Sequence, residues 1–178
     1  MYAERNGQKS ATVETEFFKI DPNVTITLKN EYANQYNGGG KNALIDGIVG
    51  AEDFRTGTWQ GYSDTDLVAT VDLGKVKNLN SVNISFLEDQ RSWIFLPNSV
   101  NFYISSDNKN FTRVSSLKIN NTKPAEHVSM RKVVSNLKGK KARFVKVVAK
   151  KLGVLPKWHL GYKHNGRSWL FADEIEIK

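Results

Sequence analysis

Three absences set the first limits on this chain of 178 residues. It contains no cysteine, which excludes a disulfide framework and a thiolate metal site. No segment approaches the roughly 20 consecutive apolar residues of a transmembrane helix. The first ten residues lack the apolar core of a secretory signal peptide. The length fits one domain with a sizeable core. If the protein is secreted, we expect this chain to be a mature form or, in preference, a piece of a longer polypeptide.

Acidic residues are also outnumbered. The chain has 26 Lys and Arg against 18 Asp and Glu, a formal net charge of +8. Such a charge first suggests a nucleic-acid binder, but the basic residues are scattered, with the densest run at 138–143. Lys146 and Lys150 alternate with apolar residues, which favours a solvated strand face. The alternatives are an anionic glycan, a membrane surface or nucleic acid, and we expect no specific nucleic-acid binding.

Long helical periodicity is missing, whereas period-two alternation of apolar and polar residues recurs and predicts strands. The alternating segments are 24–28, 68–73, 82–86, 100–104 and 174–177. Alternation predicts that each strand buries one face and exposes the other to water, as in antiparallel sheets. Residues 106–110 form a predicted hairpin loop, Gly74 is expected to end a strand, and Gly139 to precede one. Short strands without helical spacers indicate an all-β sandwich or barrel.

The predicted domain division is simple. Residues 1–16 are polar and are interpreted as a linker or interdomain arm. The ordered module is expected to span 17–178 and to begin at Phe17 and Phe18, because two adjacent aromatic rings need a surface to pack against.

Several short motifs resemble one known family when read in order. They are Ala-Leu-Ile-Asp-Gly at 43–47, Trp59, Val-Asp-Leu-Gly at 71–74, Val-Asn-Phe-Tyr-Ile-Ser-Ser-Asp at 100–107, and Asp-Glu-Ile-Glu-Ile at 173–177. Together they are similar to the discoidin, or coagulation-factor type C, family, which includes the family 32 carbohydrate-binding modules. The resemblance covers roughly residues 24–178. It implies an antiparallel jelly-roll β-sandwich (galactose-binding-domain-like) of eight strands, with neighbouring termini and a ligand site on loops at one end.

Two further segments resemble a narrower subgroup. Residues 89–97 and 158–173 are similar to modules at the C-terminus of bacterial chitobiase-like β-N-acetylhexosaminidases. This resemblance implies a periplasmic, outer-membrane surface or secreted location in bacteria. It also implies a glycan partner of N-acetylhexosamine or galactose type, the catalytic domain of a parent chain as a second partner, and a monomeric module.

A candidate cation site lies in the Gly-rich loop that contains Asp46 and Gly47. Such a loop can surround one hard cation with its carbonyls and carboxylate, although a plain turn is the common fate of Asp-Gly. The resemblance implies one structural calcium ion. The ligands that it implies are the side chains of Asp46 and Glu174 and the carbonyls of Ala43, Ile48 and Asp173.

One further calcium ligand stays open. The family usually has a Thr or Ser two residues before the Trp, and Gly57 occupies that position here. Thr56 and Thr58 flank it, so the sequence does not choose between them.

The four tryptophans are the natural platforms for a sugar, because pyranose C–H groups pack on aromatic rings. Trp59 and Trp169 are interpreted as core residues, whereas Trp93 and Trp158 divide evenly between core and ligand surface. The predicted ligand site lies on the two loops that join aromatic rings to hydrogen-bonding groups. Its residues are Gln90, Arg91, Trp93, Trp158, His159, Lys163 and Arg167.

The sequence offers little for catalysis. Glu88 and Asp89 form the one carboxylate pair outside the calcium loop, and neighbours on a strand point to opposite faces, whereas a glycosidase needs two carboxylates across a cleft. We therefore predict a non-catalytic carbohydrate-binding module of a secreted or periplasmic glycoside hydrolase. The alternatives are a structural appendage of the catalytic domain, and a discoidin-like adhesion or lipid-surface binder that uses residues 93–96 as an apolar spike.

Overall fold

The structure, a computed structural model, describes residues 4–9, 21–121, 123–164 and 166–178. Within these ranges the chain forms nine β-strands: β1 (Glu4–Arg5), β2 (Gln8–Lys9), β3 (Thr25–Leu28), β4 (Gln60–Tyr62), β5 (Leu67–Glu88), β6 (Ser99–Ser105), β7 (Thr112–Lys118), β8 (Ser129–Lys150) and β9 (Leu170–Ile177). The helices are short 3-10 turns: Asn34–Tyr36, Ala43–Ile45, Phe54–Thr56, Gln90–Ser92 and Leu160–His164. No helix in these ranges has the length and apolar character of a membrane span.

Two long strands, β5 and β8, connect both layers of a sandwich. Residues 67–72 of β5 pair with 144–149 of β8, and residues 81–88 pair with 129–136. β3, β6 and β7 extend the first of these antiparallel pairs, while β9 and β4 extend the second. Buried side chains from both halves, such as Val71 and Ile84, share one core cluster. The predicted all-β antiparallel sandwich is confirmed, and two continuous strands are shared by its layers.

The predicted strand ends at Gly74 and Gly139 are wrong, because both strands continue through bends there. Each glycine has a φ of +75°, a conformation that residues with a Cβ rarely adopt. The pairing register shifts between Asp72 and Lys77 and then resumes. A Cβ on Gly74 would lie 3.0 Å from the Asn23 Cβ. These glycines allow one strand to bend from one layer into the other.

The prediction that each strand exposes one face is wrong for the second half of β5. Every residue from 82 to 88 is buried. Leu87 lies opposite Phe171 of β9, and both belong to a second apolar cluster that also contains Trp59 and Ile94. The polar positions Asn83 and Ser85 are only 5% and 7% exposed. The connections that contain Trp59 and Ile94 therefore cover the outer face of this layer.

The two ends of the sandwich differ. One end carries the connections 63–66, 89–98, 119–128 and 151–169. The other carries the two bends and the predicted 106–110 hairpin loop, which is confirmed between β6 and β7. Asp21 and Lys178 line one cavity of about 420 Å³ at this second end. The chain therefore enters and leaves the sandwich at neighbouring positions. Phe17 and Phe18 lie outside the described residues, and β1 and β2 form a two-stranded sheet.

Candidate functional site

A β-bulge in β9 positions the Glu174 carboxylate, one of the two side chains that were predicted as metal ligands. Ser85 pairs with Asp173 and Ile84 pairs with Ile175, so Glu174 is the extra residue, with a φ of +29°. The bulge turns Glu174 toward the loop 43–50, where its Oε1 accepts a hydrogen bond of 2.8 Å from the Gly47 N–H. The Asp46 Oδ1 accepts a bond of 2.8 Å from the Ile48 N–H. The predicted side-chain pair, Asp46 and Glu174, is therefore brought together although the two residues lie far apart in the sequence.

Asp46, Asp173 and Glu174 form what we call the carboxylate cluster. Asp173 is 1% exposed; its Oδ2 accepts a bond from the Gly50 N–H, while its Oδ1 has no hydrogen-bond partner. Burial raises the pKa of Asp173 to about 6, and the nearby Asp46 adds to this. The pKa of Glu174 is also raised, first by burial and then by its hydrogen bond to Asp46 and the charges of Asp173 and Asp46.

The carboxylate cluster fits a divalent cation chemically. No Lys or Arg in the described part of the chain forms an ion pair with these three side chains. Buried charges without a counter-charge are unfavourable, and an oxygen-binding cation would relieve the repulsion and use the unpartnered Asp173 Oδ1. The described residues contain no group of three or more His, Cys, Asp or Glu side chains spaced to hold a metal. An ion here would therefore need backbone carbonyls as well.

The backbone ligand candidates flank Asp46. Ala43 is 3% exposed, whereas Ile48 is 56% exposed. The two candidate threonines interact with each other, with 3.1 Å between their Oγ1 atoms, and the Thr56 hydroxyl also donates to the Asp53 carbonyl. The structure leaves the threonine ligand undecided.

Trp59 lies beneath this loop as a core residue, as the sequence predicted. It is 1% exposed, and its indole N–H donates to the Ala51 carbonyl at 2.8 Å. A Cβ on Gly50 would approach the indole ring to 2.5 Å, so only glycine allows the loop to pack this closely. Trp59 therefore contacts the end of the loop 43–50 and also belongs to the second apolar cluster.

The loops after β5 and before β9 form the second candidate site. Asp89 caps the turn Gln90–Ser92 and accepts the Ser92 hydroxyl at 2.6 Å. Trp93 follows in a left-handed conformation, with a φ of 65°. The Trp169 N–H then donates to the Trp93 carbonyl at 2.8 Å. This bond joins the two loops through their backbones.

Four rings meet where these loops touch. The centroid of Phe95 lies 6.1 Å from Trp158 and 5.5 Å from His159. His159 lies 6.2 Å from Trp93 and 5.8 Å from Trp158. We call Trp93, Phe95, Trp158 and His159 the aromatic cluster. The two loops that the sequence proposed as one ligand site are thus adjacent.

The tryptophans of this cluster are partly open to solvent. Trp93 is 36% exposed and Trp158 is 38% exposed. One side of Trp93 is supported by two glycines that sequence analysis did not assign a role: a Cβ on Gly161 or Gly166 would lie 2.9 Å or 3.1 Å from its ring. Sequence analysis also missed Phe95, which is fully buried. Only the pair of glycines near Trp158 could have signalled this close packing.

Two of the predicted ligand residues, Gln90 and His159, form hydrogen bonds within the protein. Gln90 is 6% exposed. Its amide donates to Glu88 at 2.9 Å and its oxygen accepts the Ala125 N–H at 2.7 Å. The His159 Nδ1 accepts the Gly161 N–H at 3.1 Å, so its Nε2 donates to the Gln90 carbonyl at 2.8 Å. These polar atoms hold the loops together, and direct contact of Gln90 and His159 with a ligand stays a prediction.

The remaining predicted residues are on the surface. Arg91, Lys163 and Arg167 are exposed on the two loops that carry the aromatic cluster. The predicted apolar spike is wrong, because its residues 94–96 are at most 2% exposed. Trp169 is partly buried and packs edge-on against Phe171 at 5.9 Å, in line with its interpretation as a core residue. Leu160, two residues after Trp158 in the loop 151–169, is 90% exposed.

Comparison with solved structures finds modules of the same fold. A Clostridium perfringens module, CpGH89CBM32-5, in complex with GalNAc-β-1,3-galactose, has a TM-score of 0.54 and 19% identity, covering 87% of this chain and 94% of its own. A Streptococcus pneumoniae fucose binding module has a TM-score of 0.53 and 20% identity, covering 86% and 88%. A CBM32-2 module of a GH31 protein, bound to GalNAc, has a TM-score of 0.56 and 16% identity, covering 86% and 97%. The TM-scores show a shared fold, and at such low sequence identities these structures support a conclusion about the fold alone.

No curated protein matches the chain significantly. The model of the F5/8 type C domain matches residues 25–174, a range that runs from β3 to the Glu174 bulge. The chain therefore belongs to the F5/8 type C, or discoidin, domain family.

Proposed function

We propose that this chain is a non-catalytic carbohydrate-binding module. The observation that supports the proposal most directly is the aromatic cluster, in which two partly exposed indoles are held on loops joined by backbone hydrogen bonds. A sugar ring can stack on such a surface through its C–H groups, while its hydroxyls need directed donors and acceptors. Arg91, Lys163 and Arg167 are exposed donors on the same two loops as the two tryptophans.

The ligand class is proposed from chemistry and from similar modules. We propose an N-acetylhexosamine- or galactose-type sugar, since two modules of the same fold are described with GalNAc or GalNAc-β-1,3-galactose. An aromatic platform favours a sugar face from which no axial hydroxyl projects, and exposed Lys and Arg side chains can donate hydrogen bonds to the sugar hydroxyls. Gln90 and His159 would act indirectly, because they fix the loops.

The proposed biological role is to hold a catalytic domain near its substrate. The parent would be a secreted or periplasmic bacterial glycoside hydrolase, with a chitobiase-like enzyme as the narrower proposal. Residues 1–16 would form the arm and 17–178 the monomeric module. Asp21 lies at the end of the sandwich opposite the aromatic cluster, so a preceding domain would leave the ligand loops accessible. Binding would raise the effective concentration of the enzyme at its substrate.

We also propose one structural calcium ion at the carboxylate cluster. The side chains of Asp46 and Glu174 would hold it, together with carbonyls of Ala43, Ile48 and Asp173. A bound cation supplies positive charge that stabilises ionised carboxylates. The residues of the chain orient these oxygens through the β-bulge at Glu174 and the Gly47 and Ile48 amides.

Sugar titration of tryptophan variants tests the proposed function. GalNAc or galactose should change the intrinsic fluorescence of the protein, and Trp158→Ala should lower the affinity about tenfold or more, since stacking contacts in binding sites are typically worth one or more kcal/mol. Trp93→Ala should do likewise, with some loss of stability from its glycine contacts. Tyr103→Ala on β6 is the matched control, because it removes a half-buried ring far from the loops.

The outcomes separate the proposal from a structural appendage. Sugar binding that disappears in Trp158→Ala but persists in Tyr103→Ala supports the module. If no sugar of either type alters the fluorescence of the folded wild-type chain, the carbohydrate proposal fails and the appendage is favoured.

One observation favours a second candidate, binding to a lipid surface. Leu160 is 90% exposed and lies two residues from Trp158, and exposed apolar groups beside cations bind anionic membranes. Sedimentation with phosphatidylserine vesicles tests this candidate. Vesicle binding that is lost in Leu160→Ser would support it, while vesicles that leave the chain in solution would exclude it.

A further inference from the structure

The outer face of β6, β7 and the second half of β8 carries a regular array of cations. Side chains alternate along these strands: Val100 and Phe102 of β6 are fully buried, so Ser99, Asn101 and Tyr103 face outward. The register then places two cations beside two of these positions. Ser99 lies between Lys150 and Lys118, and Tyr103 lies between Lys146 and Arg113.

The spacing of this array follows from sheet geometry. Two inter-strand steps separate the backbones of each cation pair by about 10 Å, and four residues along β6 separate the two pairs by about 13 Å. We call these four residues, Arg113, Lys118, Lys146 and Lys150, the basic sheet face. Lys146 is held in place, because its Nζ lies 3.4 Å from the centre of the Phe111 ring. The other three side chains are exposed.

No acidic group neutralises this face within its own strands. β6, β7 and residues 144–150 of β8 contain no Asp or Glu. None of the ion pairs found in the described ranges includes any of the four cations. Asp72 of the neighbouring β5 is already engaged by Arg143 in two hydrogen bonds, of 2.7 Å and 2.8 Å. The four charges are therefore available to a ligand.

The corner after β8 joins the basic sheet face to the loop 151–169. Asn98 binds the backbone at this corner, donating to the Lys150 carbonyl at 2.7 Å and the Lys151 carbonyl at 3.3 Å. The following loop, 151–169, has four Lys and Arg and no Asp or Glu. Lys151 is not part of the array, because its Nζ is buried and lies near Asp64 and Asp66 of the 63–66 connection.

We propose that the basic sheet face binds a linear anionic polysaccharide, one that carries carboxylate or sulfate groups along an extended chain. Between its cations lie the hydroxyls of Ser99 and Ser116 and the amide of Asn101, which can bond sugar hydroxyls. A second surface of this kind would extend the proposed carbohydrate module beyond the aromatic cluster, and it does not depend on stacking at that cluster.

The same face is poorly suited to the two other polyanions. Single-stranded nucleic acid is bound by series of stacking aromatic rings, whereas the array offers Tyr103 and a Phe111 ring that already contacts Lys146. Membrane insertion needs protruding apolar groups, and the apolar residue in the array, Val148, is half-buried. A flat sheet also presents no narrow element to a DNA groove.

The test uses the whole chain and two immobilised polysaccharides, heparin for sulfate and hyaluronan for carboxylate, at physiological salt. Wild type should bind at least one of them and elute as salt rises. Lys118→Glu with Lys150→Glu should weaken this binding about tenfold or more. The matched control, Lys41→Glu with Lys75→Glu, changes the net charge equally at exposed positions outside β6, β7 and β8 and should leave binding within about twofold.

Each further result decides the proposal. Neutral-sugar binding should be unchanged in the Lys118/Lys150 variant, and heparin or hyaluronan binding should be unchanged in Trp158→Ala, so the two proposed sites fail separately. Equal losses in the test and control variants would overturn the proposal, as would the absence of binding to both polysaccharides. Tighter binding to single-stranded DNA or to phosphatidylserine vesicles than to either polysaccharide would overturn it too. If the Glu variants do not fold, Lys118→Gln with Lys150→Gln gives the same comparison.

Discussion

The carboxylate cluster and the aromatic cluster satisfy their polar groups in opposite ways. In the carboxylate cluster, Asp173 and Glu174 are buried beside each other, and one Asp173 oxygen has no protein partner. In the aromatic cluster, both ring nitrogens of His159 are bonded within the protein, and so are both ends of the nearby Gln90 amide. The first region leaves a buried carboxylate oxygen without a protein partner. The second is complete by itself and can present ring faces to a ligand.

Truncation of a tryptophan in each region should show the largest contrast. Trp59→Ala should lower the free energy of unfolding by about 3–5 kcal/mol, because a buried ring leaves a cavity. Trp158→Ala should cost much less, since 38% of Trp158 is exposed. Urea denaturation of both variants measures the difference. Equal losses would show that Trp158 is as much a core residue as Trp59.

Calcium should affect only the carboxylate cluster. An ion that binds only the folded state at a hundredfold above its Kd stabilises by about 2.7 kcal/mol, so a chelator should lower Tm. Asp46→Ala should remove the response to calcium, and Trp158→Ala should preserve it. A melting curve that neither the chelator nor Asp46→Ala shifts would reduce the loop to a plain turn.

Polar contacts at the aromatic end should matter for stability at Gln90 and for binding at Arg91. Gln90→Ala leaves the Ala125 N–H without its partner and should cost about 1–3 kcal/mol. Arg91→Ala is the neighbouring control; as an exposed substitution it should change stability by no more than about 0.5 kcal/mol while weakening sugar binding. Denaturation and titration of both variants check this. A stable Gln90→Ala variant with weakened binding would return Gln90 to direct ligand contact.

The pH dependence should be a smaller effect and should depend on the metal. Burial raises the pKa of Asp173 from 3.8 to about 6 in the folded state, so the folded chain binds more protons than the unfolded chain over this range. Stability in chelator should therefore fall as pH rises from about 4 to about 6. The raised pKa of Glu174 extends the fall to higher pH.

Calcium should reduce this fall, because it favours the ionised carboxylates. Asp173→Asn should flatten the profile in chelator, whereas an exposed control such as Glu52→Gln should not. Unfolding curves measured at several pH values give the profile. Metal-free stability that instead rises with pH through this window would contradict the buried, uncompensated state of the cluster.

Much of the fold was predictable from local pattern, and much of each site was not. Alternation correctly placed Val145 and Val147 inside and Lys146 outside on β8. The same rule failed at Asn83 and Ser85, because loops distant in sequence cover that face. The pairing of Asp46 with Glu174 came from a family resemblance, while Asp173 was expected to contribute only its carbonyl. Its buried carboxylate depends on the contact with Gly50, which no local pattern reveals.

The sequence by itself determined the antiparallel β class, the absence of disulfides, the burial of Trp59 and the two loops worth testing for ligand binding. Period-two alternation and residue chemistry act locally, so they can be read along one strand. Tertiary structure alone decided that β5 and β8 serve both layers and that Glu174 forms a bulge outside the strand pairing. It also decided that His159 bonds the Gln90 carbonyl and that the Gln90 side chain bonds Ala125. Cross-strand register also produced the basic sheet face, since residues such as Lys118 and Lys150 become neighbours only when β6 aligns β7 with β8.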